Sequence, residues 1–241
     1  MVVIITGASR GIGAETAKLL ALRGYKVCVN YLSSHASAQK VVCEIEKSGG
    51  VAIACQADVS DEQEVRRLFE TTEKQLGPIT HLVNNVGKLT HQAQLKDMTL
   101  ERFEWIVKAN VASCFLCTKE ALHRMARGGA VVNVSSLAAV TGSPFEYVDY
   151  ATSKGAMDTF TKGVAKEAAE LGIRVNGVRP AFIETQIHAD GGDPDRVARI
   201  AHKIPLKRGG KPIEVAYAIA WLLSDEASFV TGAFIDVAGG A

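Results

Sequence analysis

The sequence lacks the features that would send a chain out of the cell or onto a polyanion. Its five cysteines, Cys28, Cys43, Cys55, Cys114 and Cys117, are odd in number and too sparse for the disulfide framework of a small secreted domain, so a reducing compartment, the cytoplasm, is expected. No stretch is apolar for long enough to span a bilayer. The opening apolar run, residues 1–5, is too short for the core of a signal peptide and has no cationic segment before it. Net charge is nearly absent as well: 27 Lys and Arg against 26 Asp and Glu leave a formal +1, which gives no reason to expect nucleic acid or an acidic membrane as partner. The histidines, His35, His81, His91, His123, His188 and His202, include no i,i+4 pair and have no cysteine at zinc spacing, so no metal site is expected. Neither Ser135 nor Ser136 lies in a G-x-S-x-G turn, which disfavours a serine hydrolase.

What is present is a regular alternation. Short all-apolar runs, as buried parallel strands require, are read at residues 2–5, 26–30, 51–55, 81–84, 130–135, 174–178 and 233–237. Between them, apolar residues at helical spacing predict helices over 11–23, 37–47, 61–75, 100–125, 150–170 and 212–223, the last with Pro212 in its first turn. Seven strands alternating with helices predict a single α/β domain over 1–241: a doubly wound, mostly parallel, Rossmann-like sheet with helices on both faces. Ligands of such sheets bind at the carboxyl ends of the strands. Residues 181–205 show little periodicity at their start and contain Asp-Gly-Gly-Asp-Pro, which predicts a mobile loop over the substrate. Asp190, Asp193 and Asp195 there read as a solvated turn, and Cys114 with Cys117 as packing inside an apolar helix.

Thr6-Gly-Ala-Ser-Arg-Gly-Ile-Gly13 joins the first strand to the first helix. Glycines at 7, 11 and 13 let backbone approach a pyrophosphate, and the helix amino terminus offers amide donors and a favourable dipole. That placement predicts a dinucleotide. An acidic residue at the end of the second strand would accept hydrogen bonds from a ribose hydroxyl and repel a 2′-phosphate. That end reads Val27-Cys-Val-Asn30-Tyr31, without a carboxylate, and Arg10 offers a cation, so NADP(H) is expected over NAD(H).

Tyr150 and Lys154, four residues apart, share a helix face. A phenol with an ordinary pKa near 10 exchanges protons poorly at neutral pH, and lowering it by roughly three units needs about 4 kcal/mol of preference for the phenolate. A neighbouring ammonium and a cationic nicotinamide ring can supply it.

With these motifs in hand, the chain resembles the short-chain dehydrogenase/reductase family along essentially its whole length. Thr6 to Gly13 looks like the family's cofactor turn, Asp58-Val59 like its adenine contact, and Asn84-Asn85-Val86-Gly87 like its Asn-Asn-Ala-Gly element. Ser136 with Tyr150-x-x-Ser-Lys154 is similar to its catalytic segment, and Arg179 to Thr185 to its nicotinamide loop. The resemblance implies an oxidoreductase that moves a hydride between NADP(H) and a carbonyl or alcohol of a small organic substrate, as 3-oxoacyl reductases and sugar or alcohol dehydrogenases do. It implies that Tyr150 is the general acid, that Ser136 rather than its rival Ser135 polarises the substrate oxygen, that Lys154 lowers the pKa of Tyr150 and holds the ribose, and that Asn110 belongs to a proton relay. It assigns to the dinucleotide Gly7, Ser9, Arg10, Gly11, Ile12, Gly13, Asn30, Tyr31, Asp58, Val59, Asn85, Gly87, Tyr150, Lys154, Pro180, Ile183 and Thr185. By the same resemblance, surplus apolar residues on the 100–125 and 150–170 helices imply a homotetramer or dimer.

Three departures from the family pattern stand out. Val86 replaces alanine, Ala181 replaces glycine after Pro180, and the segment between Ser136 and Tyr150 is one residue longer. Substrate-facing residues are expected on 88–94, 137–147 and 182–205, where His91, Gln92, Glu146 and His188 mix with apolar groups and no one substrate is singled out. The competing reading is a non-catalytic NADP(H)-sensing protein on the same fold.

Overall fold

The computed structural model describes residues 1–241. Its strands are β1 (Val2–Ile5), β2 (Lys26–Tyr31), β3 (Val51–Gln56), β4 (His81–Asn84), β5 (Ala130–Val134), β6 (Arg174–Pro180) and β7 (Phe234–Val237). They form one sheet in the order β3-β2-β1-β4-β5-β6-β7, and every pairing is parallel.

The strands are largely apolar because both faces are covered. Successive side chains point to opposite faces: Val3 and Ile5 enter one core with Val27, Val29, Val83 and Val132, whereas Val2 and Ile4 enter the other with Cys28, Leu82, Val131 and Val175. The first core is closed by α1 (Gly11–Leu22), α2 (His35–Lys47) and, further along the chain, the helix opened by Pro212. The second is closed by α3 (Glu62–Leu76), whose amino terminus is capped by the Asp61 carboxylate accepting from the amides of Gln63 and Glu64.

The stretch expected as one helix over 100–125 is two, α4 (Leu100–Val107) and α5 (Ser113–Arg124), joined by a π-helical turn at Lys108–Ala112. The wide turn swings Asn110 out of helical register and into the interior, where it is fully buried. A short α6 (Ala138–Thr141), which has no sequence signal, precedes α7 (Val148–Glu170). The 181–205 segment holds α8 (Ile187–Asp190) and α9 (Arg196–Ile200), so it is more ordered than its composition suggests; α10 (Pro212–Leu223) follows it.

The order in which successive strands are laid down reverses between β1 and β4. Their loops therefore diverge and leave a crevice at the carboxyl ends of the strands. Below it, Asn84 donates to Asn133 Oδ1 at 2.8 Å and Thr118 Oγ1 at 2.9 Å, and Asn133 donates to Thr161 Oγ1 at 2.8 Å. This buried row fastens β4 and β5 to α5 and α7, and so fixes the helix that carries Tyr150.

At the opposite end of the sheet, His81 is buried against Tyr25, and its Nε2 lies 3.2 Å from the Leu223 carbonyl. A carbonyl only accepts, so that nitrogen carries the proton. Burial, with the Arg174 charge adding to it, holds the imidazole at about 4, well under its ordinary 6.5. The unfolded chain takes up this proton first as the pH falls, so the stabilisation present above pH 6.5 is lost on the way down to about 4. Over that window His81→Gln is expected to lose about 3 kcal/mol less stability than the parent, read as denaturation midpoints at each pH. Parallel curves for the two proteins would contradict this.

Candidate active site

The glycine turn is built by its neighbours. Gly7 and Gly11 sit at φ of +60° and +58°, where a side chain would be strained. Gly13 shows why the turn excludes even a methyl: a Cβ there would lie 2.6 Å from Asn85 Nδ2 and 2.8 Å from the Gly7 carbonyl. Asn85 occupies that space because its side-chain amide donates to the carbonyls of Thr6 (2.9 Å) and Gly7 (3.0 Å). Thr6 Oγ1 accepts from the amides of Asn85 and Val86 in return. The loops after β1 and β4 are thus bolted together, and α1 begins with no side-chain cap on its first amides.

Beyond this turn lies a cavity of about 670 Å³. Every residue assigned to the dinucleotide borders it except Gly13, which lies beneath as the floor of the turn, and Ser136 borders it too. A long cleft with three close-packed glycines and uncapped helix amides at its centre fits a dinucleotide pyrophosphate. Thr185 packs over the turn, its methyl 3.4 Å from where a Gly11 Cβ would be. Ala181 takes an ordinary φ, so the missing glycine carries no strain, and Val86 is accommodated 3.1 Å from a Cβ position at Gly7.

Two assigned side chains do something other than expected. Asn30 lies at the cavity wall, yet its amide is spent inside the protein: Oδ1 accepts from the Gly7 amide and Nδ2 donates to the carbonyls of Cys55 and Ala57. It shapes the turn and has no free group for a ribose. Arg10, expected as a free cation, is ion-paired at 2.5 Å with Asp190 of α8, in the open. The sequence reading missed Ser33 and Ser34, which border the cavity just past β2. Ser34 is the N-cap of α2, and its hydroxyl makes no capping bond. Two hydroxyl residues directly before a helix were the signal.

At the other end of the cavity stand Tyr150, Lys154 and Ser136 on two elements, α7 and the turn after β5. The two serines separate cleanly. Ser135 is buried and donates to the Lys154 carbonyl, whereas Ser136 is half-buried at the cavity wall, where its Oγ accepts from the Ala138 amide at 3.1 Å and its hydroxyl favours the ionised form of the Tyr150 phenol. Burial raises the phenol above its ordinary range, while Ser136 and the charge of Arg196 pull it back down. Lys154 Nζ stands 5.7 Å from the centre of the Tyr150 ring; its ammonium donates to the Val134 carbonyl at 2.8 Å and lies 3.4 Å from the Met157 sulfur. Burial lowers the lysine to about 8, opposed by Cys114 and Asp158. Lys154 Nζ also sits 3.4 Å from a Cβ position at Gly87, an ordinary van der Waals distance.

Asn110 is the one nominated catalytic residue that does not border the cavity. Its Oδ1 accepts from the Lys88 amide at 2.7 Å, and its Nδ2 donates to the Lys88 carbonyl and to Ser153 Oγ. The side chain clamps the loop after β4 to α7. Among the residues expected to face substrate, Glu146 and His188 border the cavity, whereas His91 and Gln92 do not.

Known proteins share this architecture and its order of motifs. The family described as Enoyl-(Acyl carrier protein) reductase matches residues 7–241. An uncharacterized oxidoreductase of Escherichia coli K12, YgfF, is 52% identical, with 99% of each chain covered. A 3-oxoacyl-[acyl-carrier-protein] reductase of Synechocystis is 41% identical over 99% of this chain and 96% of its own. The crystallised variant of a Serratia marcescens short-chain dehydrogenase/reductase superposes with a TM-score of 0.90 at 32% identity, covering 99% and 96% of the two chains. With a family match spanning the glycine turn, the Ser-Tyr-Lys set and everything between, the chain belongs to the short-chain dehydrogenase/reductase family and is an NAD(P)-dependent oxidoreductase.

Proposed function

We propose that the enzyme, a single domain over 1–241, reduces the carbonyl of a small organic substrate with NADPH, and oxidises the corresponding alcohol in reverse. The observation that carries this reading is a half-buried phenol that lines, together with Ser136 and Lys154, the end of a cleft fitted for a dinucleotide. Bound in that cleft, the reduced nicotinamide supplies a hydride, and its oxidised ring a positive charge. The carbonyl carbon gains the hydride and the oxygen gains the Tyr150 proton, so C=O becomes CH–OH. A phenol held above its ordinary range is protonated at neutral pH, and the charges of the oxidised ring and of the Lys154 ammonium would favour release of that proton. Ser136 donates to the same oxygen and polarises it. Lys154, charged below about pH 8, holds the ribose hydroxyls and stabilises the phenolate left behind.

The preference for NADP(H) is supported by β2, which ends without a carboxylate, and by the groups beside it. Ser33, Ser34 and the first amides of α2 offer donors to a 2′-phosphate, and Arg10 adds a cation that it shares with Asp190. Asp58 and Val59 border the adenosine end, Pro180, Ile183 and Thr185 the nicotinamide end, and Asn110 keeps its place in a proton relay through Ser153. A homo-oligomer is supported by Phe103, Trp105 and Phe115, large apolar side chains left exposed on α4 and α5. A cytoplasmic setting agrees with five unpaired cysteines. No helix is long and apolar enough to cross a membrane.

Tyr150→Phe is expected to retain NADPH binding by fluorescence titration while kcat falls by about a hundredfold or more. Parental turnover in that variant would refute the mechanism, and tight NADPH binding by the parent without hydride transfer to any carbonyl would favour a sensing role. Ser34→Asp should lower kcat/KM for NADPH by about tenfold with little change for NADH; an unaltered ratio would remove the 2′-phosphate from this turn. Because Lys154 loses its proton as the pH rises through about 8, the Kd for NADPH should climb across that range. Lys154→Met should bind weakly at every pH, with no such rise.

A further inference from the structure

The cavity contains a guanidinium that the reading above leaves without a task. Arg196, at the start of α9, is only 8% exposed, and it borders the cavity close enough to Tyr150 for its charge to act on the phenol. It packs against two rings, with the centroids of Tyr147 at 4.8 Å and Phe182 at 5.5 Å from Cζ. A guanidinium carries five N–H donors. Arg196 directs one at Glu146, and the others have no acceptor in the protein. None of its nitrogens is both sealed from solvent and unpaired, so those donors open onto the cavity.

The neighbourhood is built to hold it there. Ser143 and Phe145 adopt φ of +44° and +66°, a left-handed conformation that side chains take only when the surroundings impose it. This strained turn lies in the segment one residue longer than the family pattern, and it turns Glu146 inward to Arg196 while Phe145 points to solvent. The Tyr147 hydroxyl donates to the Gly191 carbonyl at 3.1 Å, tying the 181–205 segment down on the same spot. Beside the guanidinium, His188 Nδ1 is buried with no partner, and its Nε2 donates to the Ile183 carbonyl at 2.9 Å.

We propose that Arg196 anchors a carboxylate on the substrate, so that the enzyme acts on short oxo acids and the corresponding hydroxy acids. A planar fork packed against two rings, with donors left over, matches the two oxygens of a carboxylate in a way that neutral groups do not. Glu146 holds the fork in register and offsets part of its charge. The assignment rests on the carbonyl-reductase reading, since Tyr150 and Ser136 mark where the reacting oxygen sits.

The test pairs 3-oxobutanoate, 4-oxopentanoate and 5-oxohexanoate with their methyl esters, using the NADPH-loaded enzyme. The parent should favour at least one acid over its ester by about tenfold in kcat/KM. Arg196→Gln should abolish that preference, and Glu146→Gln, which leaves the guanidinium unopposed, should enlarge it. Calorimetric titration of pentanoate and of neutral pentanamide into the enzyme with NADP+ gives a readout independent of turnover: pentanoate should bind the parent more tightly than pentanamide does, and Arg196→Gln should bind both alike. Equal rates for acid and ester in the parent, or a preference that survives Arg196→Gln, would overturn the carboxylate assignment and leave the reductase reading standing. Selective binding of pentanoate without reduction of any carbonyl would do the reverse.

Discussion

The site depends on a clamp between two loops. Thr6 and Asn85 lie on strands adjacent in the sheet but nearly eighty residues apart in the chain, and they bind each other's backbone reciprocally. Parallel strands alone would leave those loops free to splay at the switch point, where no further strand covers them. With the clamp in place, the glycine turn takes a single shape and Gly13 has no room for another atom. The first amides of α1 then face the cleft. Asn30 braces the same turn from the β2 side, so three neighbouring strands hold one phosphate-sized concavity.

A second layer of polar bonding aligns the chemistry with that concavity. The row from Asn84 through Asn133 to Thr161 runs under the sheet's carboxyl edge and ends on α7, the helix bearing Tyr150 and Lys154. Each of these groups is buried, so each unmade bond would carry a desolvation penalty of roughly 1–3 kcal/mol. The arrangement therefore fixes the registration of α7 against β5. Asn110 does the same from the other side through Ser153.

Much of this was legible in the sequence, because the signals were local. A strand buried on both faces has to be largely apolar, so β1 to β6 announce themselves. A phenol and an ammonium four residues apart on a helix share a face whatever surrounds them. What the sequence hid was tertiary. Asn30 sits at a strand end, where either a ligand or the protein can claim its amide, and only the proximity of Gly7 decides which. The π-turn at Lys108–Ala112 lies in a run whose apolar positions continue across it, from Ile106 to Cys114 and Cys117, so periodicity passed over the break. The helices within 181–205 form because Tyr147 and Glu146 reach them from another segment.

The contact between Arg10 and Asp190 gives the cleft an unusual kind of fastening. One partner belongs to the phosphate turn and the other to the cover over the substrate, and both ends are open to water. Exposed ion pairs of this sort contribute at most about 1 kcal/mol, little more than thermal energy. This latch therefore adds little to the Tyr147–Gly191 and Glu146–Arg196 contacts that also hold the cover, and dissolved electrolyte weakens it further by screening. Of the fastenings on the cover, the one at that edge is accordingly the one that responds most to ionic strength.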